Sequence, residues 1–192
     1  MNSNPFAQFE TWFAEAKTSE PTLAESFALA TATGSGVPSV RMVLLKQADE
    51  TGFVFYTNLE SRKAEELAEN PKAALLFHWK SLGRQVRIEG SVETVPVDEA
   101  RAYYDSRPRA SRLSAWASPQ SKAIPDRNFL VQKVSELEEK YAGAAVPLPP
   151  YWGGYRVVPT RFEFWVNRDD RLHDRFVYDK APEGWARTLL GP

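Results

Sequence analysis

The sequence predicts an α+β fold, in which an antiparallel, barrel-like sheet carries added helices. Predicted strands follow one another in hairpin-like runs, with helices between the runs and no regular βαβ alternation. No internal repeat or low-complexity linker divides the 192 residues, a length that suits one ordinary domain. The chain is 43% hydrophobic and 26% charged, as globular proteins with a sizeable core are. We therefore expect one domain over residues 1–192.

The first half of the chain contains four predicted strands and two predicted helices. Phenylalanine and tryptophan at positions i, i+3, i+6 and i+7 give the first helix an apolar stripe. A Gly34-Ser35-Gly36 turn between the first two strands predicts a hairpin. In chain order, the predicted elements are a helix at 5–17, strands at 26–33, 40–46 and 52–57, a helix at 61–70 stopped by Pro71, and a strand at 73–79.

The second half continues with two helices and further strands. Residues 85–95 have the clearest strand pattern, because Val86, Ile88 and Val92 alternate with polar residues. A proline at its start predicts a helix at 96–106, and Asp126 is a suitable N-cap for a helix at 126–141. Residues 142–150 are predicted as a loop. The remaining predicted strands are 155–158, 162–165, 175–178 and 186–190.

Composition excludes several classes of function. The 24 basic and 25 acidic residues give a net charge of −1, whereas a general polyanion binder is usually basic, so we expect no nucleic-acid partner. The absence of cysteine excludes disulfides, thiolate metal sites and cysteine nucleophiles, and it fits a reducing compartment. The N-terminus lacks the regions of a secretory signal, and no apolar run approaches the roughly 18 residues of a membrane span. We expect a cytoplasmic protein with no membrane contact.

Several common catalytic and nucleotide-binding motifs are missing. The chain has no G-x-G-x-x-G after a strand and no G-x-x-x-x-G-K-[ST], the usual cradles for dinucleotides and triphosphates. It has no G-x-S-x-G nucleophile elbow. His78 and His173 are the only histidines, and they lack the H-E-x-x-H spacing of a zinc site, so we expect no metal.

A first basic cluster lies at the start of the helix at 61–70. Arg62 and Lys63 occupy its first turn, where the helix dipole disfavours cations unless an anion lies nearby. Exposed amides, the Ser61 hydroxyl and two cations at a helix start are suited to a phosphate group. The alternative is an ordinary solvated surface.

Two further clusters lie later in the chain. Tyr103 and Arg107 share a helix face at i and i+4, Pro108 ends that helix, and Ser111 follows in the turn beyond. A phenol, a guanidinium and a hydroxyl at a helix end predict a second phosphate site. The segment 171–178 (RLHDRFVY) is either a charged turn entering a strand or the polar rim of an aromatic-walled pocket. The pattern alone leaves both possibilities open.

Eight segments that occur in one order along nearly the whole chain resemble the pyridoxamine 5′-phosphate oxidase family. Any one of them is weak evidence, but eight in family order are specific. They are RMVLLK (41–46), FYTNLESRKA (55–64), RQVRIEG (84–90), YYDSRPR (103–109), SAWASPQS (114–121), YWGGYRV (151–157), FEFW (162–165) and RLHDRFVY (171–178).

The resemblance implies an FMN-binding split β-barrel that works as a homodimer, with FMN at the subunit interface and a C-terminal dimerisation segment at about residues 150–192. It implies oxidation of pyridoxamine or pyridoxine 5′-phosphate by O2, which gives pyridoxal 5′-phosphate and hydrogen peroxide. The implied FMN contacts are Arg41, Met42, Val43, Leu44, Leu45, Lys46, Tyr56, Thr57, Arg62, Lys63, Gln85, Gln120, Ser121, Trp165 and Arg175. The implied substrate contacts are Lys46, Tyr103, Arg107, Ser111, Arg171 and His173, of which Arg171 and His173 are the implied catalytic residues.

Two other functions remain open at this point. One is a split-barrel FMN oxidase acting on another substrate, such as the related oxidases of phenazine biosynthesis. The other is a non-catalytic protein that holds FMN or pyridoxal phosphate. One geometric question also stands: Arg41 and Lys46 are five residues apart, so a regular strand would point them to opposite faces. Both reach ligands only if the strand twists or bulges, or if the ligands lie near its end.

Overall fold

A nine-stranded antiparallel sheet forms the body of the protein, with five α-helices around it. The computed structural model describes residues 1–192. None of the helices is long and apolar enough to cross a membrane. The elements are α1 (Pro5–Ser19), β1 (Ser26–Ala32), β2 (Pro38–Leu44), β3 (Gln47–Asp49), β4 (Gly52–Asn58), α2 (Arg62–Glu69), β5 (Lys72–Trp79), β6 (Arg84–Thr94), α3 (Val97–Ser106), α4 (Arg109–Ala117), α5 (Arg127–Lys140), β7 (Trp152–Val166), β8 (Asp174–Ala181) and β9 (Gly184–Leu190).

The sheet curls into a barrel-like shape because its two end strands are adjacent in sequence. The strand order is β2-β1-β5-β6-β7-β4-β3, and β8 and β9 extend from β7 as a further hairpin. Only Leu45 and Lys46 separate β2 from β3, so one bent segment pairs with β1 along its first part and with β4 along its second. This arrangement confirms the predicted α+β fold with an antiparallel, barrel-like sheet.

The bend between β2 and β3 corrects one predicted boundary. The strand predicted at 40–46 ends at Leu44, and the backbone N–H groups of Leu45 and Lys46 donate to Glu25 and Val54 at 2.9 Å each. The chain thereby transfers from one side of the barrel to the other. A bend at this point also answers the question of Arg41 and Lys46, because both residues line one cleft.

The core is an aromatic cluster between the sheet and α1. It contains 22 buried residues, and α1 contributes Phe9 and Trp12 from the predicted stripe, together with Ala16 one turn further on. The Phe9 ring lies 4.9 Å from the Phe53 ring and 5.1 Å from the Phe77 ring, both edge-on. Truncation of such a buried ring to alanine typically costs about 3–5 kcal/mol. Helix α1 is therefore an integral wall of the barrel.

The longest strand, β7, runs through a bulge. The sequence predicted two separate strands at 155–158 and 162–165, which is wrong, because β7 is continuous. Glu89 of β6 pairs with Arg161 and Gly90 pairs with Pro159, so Thr160 is one extra residue on β7. A Cβ atom on Gly90 would lie 2.1 Å from the Val158 carbonyl oxygen, so only glycine fits opposite the bulge.

Helix α4 was not predicted. Ser111, expected in a turn, lies inside this helix, and Pro108 stands at the N-cap position, before the first helical residue. Arg109 donates to Glu138 at 2.9 Å and to the carbonyl oxygens of Tyr141 and Ala144 at 2.8 Å each. These bonds tie the start of α4 to the end of α5, and they make Arg109 a structural residue.

Candidate cofactor and substrate site

A cleft with a volume of about 930 Å³ lies between the bent β2 strand, the end of β4, the start of α2 and the helices α3 and α4. The resemblance implied a set of ligand contacts, and most of those that stand in the first two-thirds of the chain line this one cleft. They are Arg41, Met42, Val43, Leu44, Lys46, Tyr56, Thr57, Arg62, Lys63, Tyr103, Arg107, Ser111, Gln120 and Ser121. Leu45 does not line it, since its side chain is buried in the aromatic core.

At one end of the cleft, the side chain of Lys63 is hydrogen-bonded to three neighbouring side chains. Its ammonium group donates to Thr57 Oγ1 at 2.9 Å, to Gln120 Oε1 at 3.0 Å and to Ser61 Oγ at 3.1 Å. These bonds join the end of β4, the first turn of α2 and the loop after α4. Burial lowers the pKa of Lys63 to about 8, and the positive charge of Arg41 acts in the same direction. The neutral oxygens around Lys63 therefore compensate its buried charge only in part.

A buried carboxylate lies behind this end of the cleft. Glu66 is 3% exposed, and its carboxylate accepts hydrogen bonds from Arg62 Nε at 2.8 Å, Arg41 Nη2 at 3.3 Å, Ser39 Oγ at 2.5 Å and the Thr31 hydroxyl. Burial alone would raise the pKa of Glu66, but these four hydrogen bonds together lower it to about 2. The carboxylate is therefore ionised at any physiological pH.

A stack of three aromatic rings forms the opposite wall. The Tyr56 ring lies 4.2 Å from the Tyr103 ring and 5.3 Å from the Trp152 ring, nearly parallel to both. A Cβ atom on Gly154 would lie 2.7 Å from the Tyr56 ring, so the glycine leaves the space that this ring needs. The guanidinium of Arg107 lies over Trp152 at 5.0 Å, a favourable cation–π distance.

Arg107 provides a buried hydrogen-bond donor without a partner, at some distance along the cleft from Lys63. Its Nη1 atom is buried and has no hydrogen-bond partner within the protein. Burial lowers the pKa of Arg107, which means that the charged form lacks compensation there. A buried N–H group without a partner is costly, and an anion bound beside Tyr103 and Ser111 would supply one. The donors of the cleft thus fit two separate anionic groups, one near Lys63 and one near Arg107.

The remaining implied residues form a second cluster elsewhere on the chain. Gln85 of β6, Trp165 of β7 and Arg175 of β8 stand side by side in register. The His173 ring lies 4.6 Å from the Trp165 ring, and Arg171 is exposed in the turn before β8. None of the five lines the cleft.

The two clusters lie towards opposite ends of β7. Gly153 pairs with Thr57 at the cleft, and Trp165 stands twelve residues further along the same strand. At about 3.3 Å per residue, the path along the strand is on the order of 40 Å. One copy of the chain therefore does not bring all the implied residues into one site.

The cleft also contains residues that the sequence analysis did not select. Ser114 and Ser118 line it at helical spacing from the already selected Ser111, a signal that is visible only once α4 is recognised as a helix. Trp152 stands in the quoted YWGGYRV segment, where its position gave no indication of a role. Glu66 is four residues after Arg62, the spacing of a helical ion pair, and this signal was available in the sequence.

Comparison with protein families identifies two matching regions that together cover most of the chain. Residues 15–141 match the family described as pyridoxamine 5′-phosphate oxidase. Residues 152–192 match the pyridoxine 5′-phosphate oxidase C-terminal dimerisation region. This second match contains Trp165, Arg171, His173 and Arg175.

Full-length relatives have the same description. The chain is 53% identical over 192 residues to a pyridoxine/pyridoxamine 5′-phosphate oxidase from Gluconobacter oxydans, covering 100% of this chain and 96% of the relative. It is 51% identical to the Psychromonas ingrahamii enzyme of that name, with coverage of 99% and 88%. Among solved structures, PhzG from Burkholderia lata in complex with tetrahydrophenazine-1-carboxylic acid superposes with a TM-score of 0.94 at 34% identity, covering 100% and 94% of the two chains. The chain therefore belongs to the pyridoxamine 5′-phosphate oxidase family of FMN-dependent oxidoreductases.

Proposed function

We propose that this protein oxidises pyridoxamine 5′-phosphate and pyridoxine 5′-phosphate to pyridoxal 5′-phosphate, with O2 as the final acceptor and hydrogen peroxide as a product. The observation that carries the proposal is the cleft, with two separate sets of anion donors on either side of an aromatic stack. A phosphorylated cofactor and a phosphorylated substrate together need two such sets. Relatives more than 50% identical over the full chain are named for this reaction.

The cofactor phosphate is assigned to the end of the cleft near α2. Arg62 and Lys63 stand in the first turn of this helix, where backbone N–H groups and the helix dipole also favour an anion. The low pKa of Lys63 supports the assignment, because a bound phosphate would compensate the buried ammonium group. Thr57 and Gln120 already hold this ammonium group in place.

The substrate phosphate is assigned to the end near Arg107. Lys46, Tyr103, Arg107 and Ser111 line this end, and the unpartnered Nη1 of Arg107 is a ready donor. Phosphate binding far from the reacting carbon supplies binding energy that holds the substrate in a reactive geometry. The three stacked rings restrict the movement of Tyr103 and Arg107, so their donors are positioned before the substrate arrives.

The site is completed by a second copy of the chain. In this proposal the chain is one domain that forms a homodimer through residues at about 150–192. The cluster of Gln85, Trp165, Arg171, His173 and Arg175 on one subunit then faces the cleft of the other. The separation on the order of 40 Å along β7 supports this arrangement, since one copy alone leaves the site incomplete.

When bound, FMN supplies a two-electron acceptor that O2 reoxidises. Arg171 and His173 are assigned to the substrate ring and its reacting carbon. The Nδ1 atom of His173 accepts a hydrogen bond from the Arg168 backbone N–H at 3.0 Å, so the neutral ring carries its proton on Nε2. In this state His173 donates a hydrogen bond to the substrate and orients it. The oxidised amine then takes up water and releases ammonia to give the aldehyde.

Two measurements on the purified protein test the proposal. The first is a visible spectrum, which shows bound FMN as a yellow colour. The second is release of peroxide and formation of an aldehyde on addition of pyridoxamine 5′-phosphate in air. Bound FMN with both products is the expected result. A yellow protein without turnover would refute the assigned reaction, and a colourless protein that takes up no FMN would refute the cofactor site as well.

One specific observation favours a second substrate class. The solved structure with a TM-score of 0.94 is PhzG bound to tetrahydrophenazine-1-carboxylic acid, although its identity to this chain is only 34%. The same assay with a reduced phenazine carboxylic acid distinguishes the two substrates. We expect turnover to be much faster with the phosphorylated substrate, because Arg107 and Ser111 provide a phosphate site. The reverse order would favour the phenazine substrate.

A further inference from the structure

We propose that Glu66 is a positioning residue for the cofactor phosphate, and that its carboxylate orients Arg62 so that both terminal nitrogens of the guanidinium point into the cleft. This inference rests on the proposed cofactor site. It concerns a buried carboxylate to which none of the roles described above is assigned, and which is too enclosed to touch either ligand, since its side chain is 3% exposed.

The two oxygen atoms of Glu66 have different partners. Oε1 accepts from Arg62 Nε at 2.8 Å. Oε2 accepts from Ser39 Oγ, from Arg41 Nη2 and from the hydroxyl of Thr31. Four hydrogen bonds from three elements, β1, β2 and α2, thus fix the orientation of the carboxylate.

The two arginines around Glu66 differ in which guanidinium nitrogens remain without a hydrogen-bond partner in the protein. Arg41 uses Nη1 for the Leu29 carbonyl oxygen and Thr31, and Nη2 for Ser39 and Glu66. Arg62 uses only Nε, and its side chain is 58% exposed at the cleft. A guanidinium held at Nε presents its two terminal nitrogens as a fork, the geometry that binds phosphate through two parallel hydrogen bonds. Arg62 is therefore the phosphate ligand, and Arg41 mainly adds positive charge.

Two effects of Glu66 oppose each other. Its negative charge disfavours a nearby phosphate, while its hydrogen bond holds Arg62 in the binding orientation. The charge is already neutralised by Arg41 and Arg62, both within 3.3 Å of the carboxylate. An unrestrained Arg62 would lose the fork geometry and would have to be ordered again on binding. We infer that the orienting effect is the larger one.

Glu66→Gln tests this inference with little change of shape. The amide oxygen should take the Oε2 position, because several donors already point there. The NH2 group then takes the Oε1 position beside Arg62 Nε–H. Two donors face each other there, so this hydrogen bond is lost. Arg62 is then released from its fixed orientation. We expect the Kd of the apo-protein for FMN, measured by quenching of flavin fluorescence, to rise about tenfold, the size expected for loss of one charge-assisted contact.

Two controls separate positioning from a general structural effect. Glu69→Gln makes the same change of charge on the same helix, at a carboxylate that bonds only the Gly34 backbone N–H, and it should leave the Kd unchanged. Riboflavin lacks the phosphate, so its Kd should be the same for the wild type and for Glu66→Gln. Equal weakening of riboflavin and FMN, or unchanged FMN binding in Glu66→Gln, would overturn the inference.

A double-mutant cycle identifies the residue through which Glu66 acts. In an Arg62→Ala background, Glu66→Gln should change the Kd for FMN by less than half of its effect in the wild type, since the oriented group is gone. Fully additive effects would show that Glu66 does not act through Arg62. A wild type that binds FMN but does not oxidise pyridoxamine 5′-phosphate would refute the proposed reaction and leave this inference intact.

Discussion

Lys63 carries a positive charge where water hardly reaches it. The residue is 7% exposed, and its ammonium group is surrounded by the neutral oxygens of Thr57, Ser61 and Gln120. Burial is the main cause of its low pKa, followed by the charge of Arg41, while Glu66 acts in the opposite direction. A neutral oxygen shell stabilises an ammonium group less than an anion does, so a phosphate at the position proposed above would stabilise the charged form of Lys63.

The low pKa predicts a pH dependence of cofactor binding. Because the pKa of Lys63 is about 8 in the free protein, the ammonium group loses its proton as the pH rises from 7.5 to 9.5. An ordinary lysine, with a pKa of about 10.4, would stay charged over most of this range. The phosphate has its second pKa near 6 and stays doubly charged throughout. We expect the Kd for FMN to rise by up to about tenfold per pH unit above pH 8.

Lys63→Arg is the matched control for this prediction. The guanidinium keeps its charge at every pH tested, so the Kd of the variant should vary little between pH 7.5 and 9.5. Fluorescence titrations of both apo-proteins across this range give the comparison. A flat profile for the wild type would contradict the assignment of Lys63 to the phosphate site.

Among the basic residues, the sequence could not separate ligand contacts from structural contacts. Arg84 and Arg109 stand in clusters that resemble the one at Arg62 and Lys63. In the structure, Arg84 pairs with Glu15 and lies 4.6 Å over the Trp12 ring, while Arg109 binds the end of α5. The difference depends on partners 29 to 72 residues away in sequence, which local spacing does not reveal.

Strand β7 illustrates the same limit among secondary-structure elements. The predicted strands at 155–158 and 162–165 left out Pro159, a residue type that donates no ladder hydrogen bond. Pairing with β6 nevertheless continues on both sides of the interruption, with β4 beside the residues before it and β8 beside those after it, and the extra residue is absorbed as a bulge. Helix α4 was missed for the opposite reason: Pro108 indicated the end of one helix, while it also precedes the first turn of the next. Strongly periodic elements, such as α1 and β6, were predicted almost to their ends.

The bulge predicts a severe effect of a very small substitution. Gly90→Ala would place a methyl group 2.1 Å from the Val158 carbonyl oxygen and 2.8 Å from its carbonyl carbon. Val158 pairs with Ser91 of β6 and the adjacent Val157 pairs with Phe53 of β4, so the strand cannot move aside without breaking hydrogen bonds. We expect a loss of about 2–4 kcal/mol in the free energy of unfolding, measured by denaturant titration.

Gly34→Ala serves as the comparison for Gly90→Ala. Its added methyl group would meet Glu69 at 3.6 Å, an ordinary contact, so its effect should stay within about 0.5 kcal/mol. If the two variants unfold at the same denaturant concentration, the bulge is more adaptable than the close approach of β6 and β7 implies.

For the whole molecule, the main feature is that the residues implied as ligand contacts lie in two places on one chain. The cleft lies at one end of β7, and the cluster around Trp165 lies at the other end. The resemblance implied both sets of residues as ligand contacts. The sequence could not show how far apart the two sets of residues lie. That distance follows only from the structure, in which β7 is one continuous strand.

A divided site predicts complementation between two inactive variants. Lys63→Ala removes a group from the cleft, and Arg171→Ala removes one from the other cluster. In a mixed dimer, one site has both lesions and the second has none. A 1:1 mixture with free exchange of subunits should therefore regain about a quarter of the wild-type activity with pyridoxamine 5′-phosphate.

The control for complementation uses two substitutions that both lie in the cleft. A mixture of Lys63→Ala and Arg62→Ala leaves a lesion in the cleft of every subunit, so it should regain nothing. Native mass spectrometry of the mixtures verifies the exchange of subunits. Mixed dimers of Lys63→Ala and Arg171→Ala that stay inactive would argue against a site shared between subunits.

The bulge at Thr160 also determines which side chains face outwards at the far end of β7. Before it, the odd-numbered Tyr155 and Val157 point into the core, and after it the even-numbered Phe162 and Phe164 do. The extra residue thus changes which residues face the core, from odd-numbered to even-numbered ones. Trp165 stands on the outer face because of this change. Deletion of Thr160 would exchange the environments of Phe164 and Trp165. One added residue thereby decides whether the Trp165 side chain packs in the interior of its own subunit or lies on the outer face, where a second subunit can contact it.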